Sequence, residues 1–409
     1  MDENKKRIIA IIGFFIVTLV LGYLIYRVFF YTEKEVIQIT PPTTDVTGEF
    51  PTAGEGVGTV PSITGPGVLP TIDTIPGTTQ PTIRPTEKVE VVTQVVDTFV
   101  LNPTKDTLGQ AKFYNDLDGK FYRLMKDGST KEMSDKNFYN VEKTTWSPTQ
   151  DSAIIEYPDK SNIYYDFDTQ KQVTLPKHWE EFSFAPQGNE IAAKSMGLSV
   201  ENRWLITSNP NGTNIKLIEP MGHNADRVDV NWSPNQQMVA LSRTGDSFGA
   251  DREEVLFVGL HGENFKSTIV EGRGLQSQWS PTGKKLLYSV YSSRSEFKPE
   301  VWIVNTDGDQ IGTDRKLLNV NTWADKCAFT NERFVYCAVP TELQTGAGFA
   351  ASLSDDTPDE IFKIDSQTNL RTRIPLDENY TVDEIFVSED GSTLFFTDKN
   401  KIGLFNMEI

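Results

Sequence analysis

Histidine and cysteine are scarce in this sequence, with three and two among 409 residues. Two cysteines exclude a fold built on disulfides and any four-cysteine zinc site. His178, His223 and His261 are dispersed without metal-ligand spacing, so no metal centre is expected from them. Positive charge is also short. Against 57 Asp and Glu stand 39 Lys and Arg, for a net charge of −18. No basic patch occurs beyond the first few residues, which argues against nucleic acid as a partner. Aromatic residues are not short. At 11% they are too many for a chain that is disordered throughout.

Only one long hydrophobic run occurs. Residues 8–30 are almost unbroken apolar sequence, enough to cross a bilayer as a helix. Lys5, Lys6 and Arg7 precede it, while Glu33 and Glu35 flank Lys34 behind it. The positive-inside rule then puts residues 1–7 in the cytoplasm and the rest of the chain outside, as a single-pass plasma-membrane protein. A cleaved signal peptide is the alternative, but the run is long for one and no small-x-small site follows closely. A buried core helix would need a polar face.

Residues 31–86 are expected to be a disordered stalk. From about residue 40, Pro41, Pro42, Pro51, Pro61, Pro66, Pro70, Pro76, Pro81 and Pro85 recur among threonines and glycines. Such a stretch cannot bury enough apolar surface to offset its chain entropy. At ~3.1 Å per residue, about 45 residues reach at most ~140 Å when extended. As a flexible coil they span roughly 35–40 Å. Either value holds a domain clear of a membrane. A ligand for a proline-recognition module is the lesser alternative.

A repeat begins after residue 87. Its clearest copies are Trp146-Ser147-Pro148, Phe184-Ala185-Pro186, Trp232-Ser233-Pro234 and Trp279-Ser280-Pro281. An apolar triplet follows each: Ala153-Ile154-Ile155, Ile191-Ala192-Ala193, Val239-Ala240-Leu241 and Leu286-Leu287-Tyr288. Degenerate copies start at Cys327 and Val387. A second apolar segment, a turn and a short fourth strand complete each unit. Four-stranded units too small to fold alone must stack, and radial stacking leaves only short, protected edges. The pattern resembles the TolB-type beta-propeller repeat, and also the propeller domains of the prolyl oligopeptidase family. The resemblance covers roughly residues 98–409. It implies an all-β propeller over residues 87–409 and, for TolB-type propellers, a protein–protein role in the bacterial cell envelope. Those propellers are usually soluble, so the anchor and stalk depart from the pattern.

Seven blades are expected, with six or eight left open. Residues 98–133 supply the degenerate seventh. The last unit, from Val387, has three strands, and the orphan strand 89–95 is expected to pair outside it and close the ring. The aromatic-Ser-Pro residues are read as structural, packing between blades.

With strands numbered outward, the 2–3 and 4–1 loops share one face. The 2–3 loops over residues 195–202, 243–254, 291–300 and 340–360 are long, and loops carry function more often than the elements they join. Candidate contact residues on that face are His178, Trp179, His223, Arg227, Arg243, Phe248, Arg252, Arg273, Tyr291, Arg294, Phe297 and Trp323. Aromatic and arginine side chains are the usual interface anchors.

No catalytic residue is assigned. Gly245-Asp246-Ser247-Phe248-Gly249 matches a nucleophile-elbow string but lacks the following helix, and His261 belongs to the opposite face. The stretches 115–119 and 305–309 resemble calcium loops, yet Asp-Gly at strand connections is ordinary hairpin chemistry, so no cofactor is expected. Cys327 and Cys337 flank a predicted hairpin, and a disulfide or two buried thiols are both open. The leading expectation is a membrane-anchored scaffold that binds a protein, peptide or glycan of the envelope. A propeller hydrolase or lyase is the alternative, and a mechanical spacer is the third. Carboxylates with one raised pKa on the long-loop face would favour the enzyme, and an apolar and aromatic patch would favour binding.

Overall fold

Each apolar triplet becomes the second strand of a four-stranded antiparallel sheet. Such a strand has a neighbour on either edge and another blade against either face. It therefore reads as a continuous apolar run instead of alternating. In the computed structural model, which describes residues 18–21, 23 and 89–409, Ala153, Ile154 and Ile155 are all completely buried. The expected stalk and nearly all of the expected membrane span lie outside the described residues. Among the described residues, no helix is long and apolar enough to cross a membrane.

There are seven such sheets among the described residues, each with its strands in sequence order from the inner edge outward, save the last. Blade 1 holds Leu101–Lys105, Ala111–Asn115, Lys120–Leu124 and Thr130–Glu132. Blade 2 holds Lys143–Trp146, Ser152–Glu156, Asn162–Asp166 and Lys171–Leu175. Blade 3 holds Trp179–Phe184, Ile191–Met196, Arg203–Ser208 and Lys216–Pro220. Blade 4 holds Val228–Val230, Met238–Ser242, Glu253–Gly259 and Thr268–Val270. Blade 5 holds Arg273–Trp279, Lys285–Tyr291, Pro299–Asn305 and Lys316–Leu317. Blade 6 holds Cys327–Phe329, Phe334–Pro340, Asp359–Asp365 and Arg371–Ile374. Blade 7 holds Val382–Val387, Thr393–Asp398 and Leu404–Glu408, with Thr93–Val96 as its outer strand.

The ring is thus closed by the segment that precedes blade 1. Thr93 pairs with Asn406 and Val96 with Leu404. The closing strand is shorter than the expected 89–95. Glu90 lies outside it and bridges Leu376, just beyond the last strand of blade 6, and Val89 and Val91 stay exposed.

The repeat aromatics do pack between blades. Trp279 of blade 5 sits 6.3 Å from Phe257 of blade 4 and donates its indole N–H to Asn231 O at 3.2 Å. Trp146 of blade 2 donates to Asn102 O of blade 1 at 2.8 Å. Removal of a large apolar side chain from water contributes roughly 1.5–3 kcal/mol, nearly in full for Trp279 and only in part for the partly buried Trp146. The serines of the repeat close their own turns. Ser233 Oγ accepts Met238 N–H at 2.9 Å and Ser280 Oγ accepts Lys285 N–H at 3.0 Å.

Blade 6 carries two further ties. Cys327 and Cys337 face each other on its first two strands, Cα atoms 4.0 Å apart, and are joined by a disulfide. Lys326, just before the first strand, places Nζ 2.8 Å from both carboxylate oxygens of Asp359, which also accepts Val382 N–H of blade 7 at 2.7 Å. Removing either partner of such a buried pair costs about 3–5 kcal/mol.

Candidate binding face

The 2–3 connections differ sharply around the ring. In blades 1 and 2 they are tight turns, at residues 116–119 and 157–161. In blades 4, 5 and 6 they are long, at 243–252, 292–298 and 341–358. The blade 3 connection is shorter than expected, because its strands extend to Met196 and resume at Arg203.

The long loops hold one another. Arg273, at the start of blade 5, donates to Ala250 O at 3.0 Å, Gly249 O at 2.9 Å and Glu253 Oε2 at 2.9 Å, fixing the blade 4 loop. Asp251 of that loop accepts the N–H of Ser293 at 3.3 Å and also its hydroxyl, which holds the Asp251 carboxyl below its ordinary pKa. The blade 5 loop then turns through Glu296 and Phe297, whose φ values of 55° and 56° are left-handed. For a side chain as bulky as phenylalanine this is a strained backbone. The turn aims two carbonyls at the next loop: Gly346 N–H reaches Glu296 O at 2.9 Å and Gly348 N–H reaches Phe297 O at 2.7 Å. Finally, Lys399 of blade 7 pairs with Asp355 of the blade 6 loop at 2.6 Å.

This wall carries an apolar surface. Phe349 packs edge-on against Tyr291 at 4.7 Å and lies 5.2 Å from Phe297, yet remains 63% exposed. Phe248 is 42% and Leu353 52% exposed.

The expected contact residues divide into three groups. Phe248, Arg252, Arg273, Tyr291, Arg294 and Phe297 come from the interlocked loops and strand ends of blades 4 and 5. Within it Arg273 is a loop clamp, and Arg294 is paired with Glu300 at 2.8 Å over the Trp302 ring. His178, His223, Arg227 and Arg243 belong to blades 3 and 4. His178 and His223 are exposed, while Arg243 is tied to Asp229 at 3.1 Å and Asp226 O at 2.9 Å. Trp179 and Trp323 are corrections. They are only 2% and 5% exposed, packed into the core by strand and turn positions that the loop assignment overlooked.

Phe349, Leu353, Gly346 and Gly348 were not singled out from the sequence. The available signal was Gly346-Ala347-Gly348-Phe349, a glycine pair that lets one backbone approach another inside a long insertion.

The inner strands add a second feature. Those of blades 1, 3, 5 and 7 break register at a bulge, and those of blades 2 and 6 do not. The bulges turn out Asn102 and Glu181 with left-handed φ, and free Asp383 and Glu384 from the ladder. Glu181 pairs with Lys194 at 2.5 Å. Asn102 Nδ2 lies 3.5 Å from Glu384 Oε1. Burial, reinforced by the charge of Asp383, raises Glu384 to about 7. Burial likewise raises Asp325, Asp229 and Glu156.

The nucleophile-elbow string lies wholly in the blade 4 loop. Ser247 Oγ donates to Gly249 O at 3.1 Å and accepts from Arg273 at 3.3 Å. In the 115–119 turn, Asp118 accepts Lys120 N–H at 2.9 Å and the Tyr122 hydroxyl at 2.7 Å. Among the described residues, no group of three or more His, Cys, Asp or Glu could hold a metal ion.

No protein-family model matches the chain, and no curated protein matches its sequence. Solved structures do. The beta-propeller domain of Cps50 (Swd1) from Myceliophteria thermophila aligns with a TM-score of 0.51 at 10% identity, over 78% of this chain and 99% of that one. The tricorn protease aligns at 0.49 and 10% identity over 79% of this chain, which spans 34% of the protease chain. An oligogalacturonate lyase in complex with manganese aligns at 0.47 and 11% identity, over 78% and 93%. At these identities the likeness is one of fold.

Proposed function

We propose that this protein is a membrane-anchored scaffold whose propeller stands outside the plasma membrane and binds a protein, peptide or glycan partner of a bacterial cell envelope. Residues 8–30 anchor it and residues 31–86 act as its stalk. The resemblance of the repeat to the TolB type and the unbroken apolar run over residues 8–30 support the placement. The observation that carries the binding role is the wall of blades 4–6. Backbone bonds and Arg273 fix it, and it offers Phe349, Phe248 and Leu353 to solvent. A rigid apolar surface with an arginine rim binds at low entropic cost.

The competing reading, a hydrolase or lyase acting on envelope polysaccharide or peptide, draws on Glu384, whose pKa near neutrality suits an acid–base group.

The test is cross-linking of the full chain in intact envelopes, followed by purification and identification of what it carries. Phe349→Ala and Phe248→Ala should release the partner while the melting temperature holds. A partner retained by both variants removes the binding face. Turnover lost in Glu384→Gln would establish the enzyme instead. Alkaline extraction and protease protection test the anchor: release from membranes by alkali, or a propeller shielded in intact cells, refutes that placement.

A further inference from the structure

On the opposite face, between blades 2 and 3, lies an open, shallow cavity of about 600 Å³. Its lining is chemically uniform. Gln150, Asn189, Asn209 and Asn211 contribute carboxamides, Glu190 is the one carboxylate, and Tyr164 contributes a partly buried ring that also packs on the core beneath. No Lys or Arg lines it.

The cavity is built by three turns. Residues 147–151 and 185–190 are the 1–2 turns of blades 2 and 3, and residues 209–213 join the outer strands of blade 3. The first two are locked together. Thr149 Oγ1 donates to Gln187 O at 2.7 Å, and Gly188, with φ of 73°, approaches so closely that a Cβ there would lie 2.5 Å from Ser147 Oγ. The third turn closes on itself, with Asn209 Nδ2 donating to Thr213 Oγ1 at 2.9 Å and Asn211 Oδ1 accepting from the same hydroxyl at 2.7 Å. Glu190 is half-spent on Lys216 at 3.0 Å. Gln150 and Asn189 are exposed to solvent, and neither their amides nor the Tyr164 hydroxyl is tied to another described residue.

We infer that this cavity binds a neutral oligosaccharide. A carboxamide both donates and accepts, as a sugar hydroxyl does, so free amides beside a ring match a pyranose with its hydroxyl edge and its apolar C–H face. A phosphate or uronate finds no cation in the lining itself, and the ammoniums beside it are already engaged, Lys216 on Glu190 at 3.0 Å and Lys112 on Gln150 O at 3.4 Å. An apolar ligand would leave the amides unpaired on desolvation. The site is separate from the loop wall and does not depend on it.

The experiment is calorimetric titration of the full chain, held in a detergent without a sugar headgroup. The probes are maltotetraose, cellotetraose and chitotetraose, with tetragalacturonate as the anionic counterpart. At least one neutral tetraose should saturate, with a dissociation constant on the order of 0.1–1 mM. Gln150→Ala and Asn189→Ala should each weaken it by about fivefold, the worth of a typical hydrogen bond. Tyr164→Phe should weaken it less and Tyr164→Ala more. Should Tyr164→Ala lower the melting temperature, the two amide variants on exposed turns decide alone. Tetragalacturonate should bind at least about tenfold more weakly. Phe349→Ala should leave the affinity unchanged, which separates this site from the proposed partner face. No saturation by any neutral tetraose at about 10 mM overturns the inference. So does affinity indifferent to both amide variants, or tighter binding of the uronate.

Discussion

Gly348 donates its backbone N–H to the carbonyl of Phe297 at 2.7 Å, and this bond joins the long loops of blades 5 and 6. No side chain fits at Gly348. A Cβ there would meet Tyr291 Cβ at 2.5 Å and Phe297 O at 2.7 Å. Overpacking of this kind costs about 1–3 kcal/mol. Gly348→Ala should therefore part the two loops while leaving the blades intact. Hydrogen exchange at residues 292–298 and 344–350 should rise, and the partner captured through Phe349 should be lost. Unchanged exchange at both segments would show that the loops do not hold each other.

Glu384 makes stability depend on pH. Burial holds its carboxyl at about 7 in the folded protein, above its ordinary 4.5. The folded state thus keeps a proton that the unfolded chain releases. That contribution is full below the ordinary value and is lost as the pH rises through about 7. Glu384→Gln keeps the group neutral throughout. Its melting temperature should fall less than that of the unaltered protein between about pH 5 and about pH 8. An equal fall in both would refute the assignment of this carboxyl.

The propeller was legible because its signals are local. Trp146, Trp232 and Trp279 each start a serine-proline turn, and a triplet buried on both faces follows at fixed spacing. The closing strand was legible by subtraction, since blade 7 lacks a fourth strand of its own. The face was legible from loop lengths, but its chemistry was not. Trp179 and Phe349 are both large aromatics near loops, and only the fold puts one in the core and leaves the other in water. Asp383 and Glu384 look like ordinary strand residues, because a bulge is set by the partner strand and leaves no composition signal. The cavity between blades 2 and 3 depends on turns from two repeats meeting in space, which no linear pattern records.

The Cys327–Cys337 disulfide closes a loop with a sequence separation of 10. Cross-linking so short a loop restricts the unfolded chain by about 2–3 kcal/mol in the chain-entropy account. Both cysteines are completely buried in blade 6, so reduction should be slow unless the blade opens. Cys327→Ala with Cys337→Ala should lower the urea midpoint, with a small rise in the slope of the transition as the unfolded chain expands. A midpoint equal to that of the oxidised protein would show that packing alone holds blade 6.

Ring closure offers the sharpest test of the architecture, because it separates the segment before residue 87 from the strand after it. Val96 is buried against Phe395 and Leu404 of blade 7 and Phe113 of blade 1, and Thr93–Val96 supplies the outer edge of blade 7. A chain lacking residues 1–86 keeps every one of these contacts. One lacking residues 1–97 leaves Leu404–Glu408 as an unpaired edge and bares the apolar seam between the last blade and the first. An exposed strand edge beside exposed apolar surface favours aggregation. The first truncation should melt within a few degrees of the intact domain. The second should melt at least about 10 °C lower or form soluble aggregates, because several kcal/mol of burial and pairing are lost. A milder variant, Val96→Asp, places an unpaired charge in the same seam and should destabilise in the same direction without removing the strand. Equal stability of the two truncations would mean that blade 7 stands on three strands and that the ring needs no outer closure.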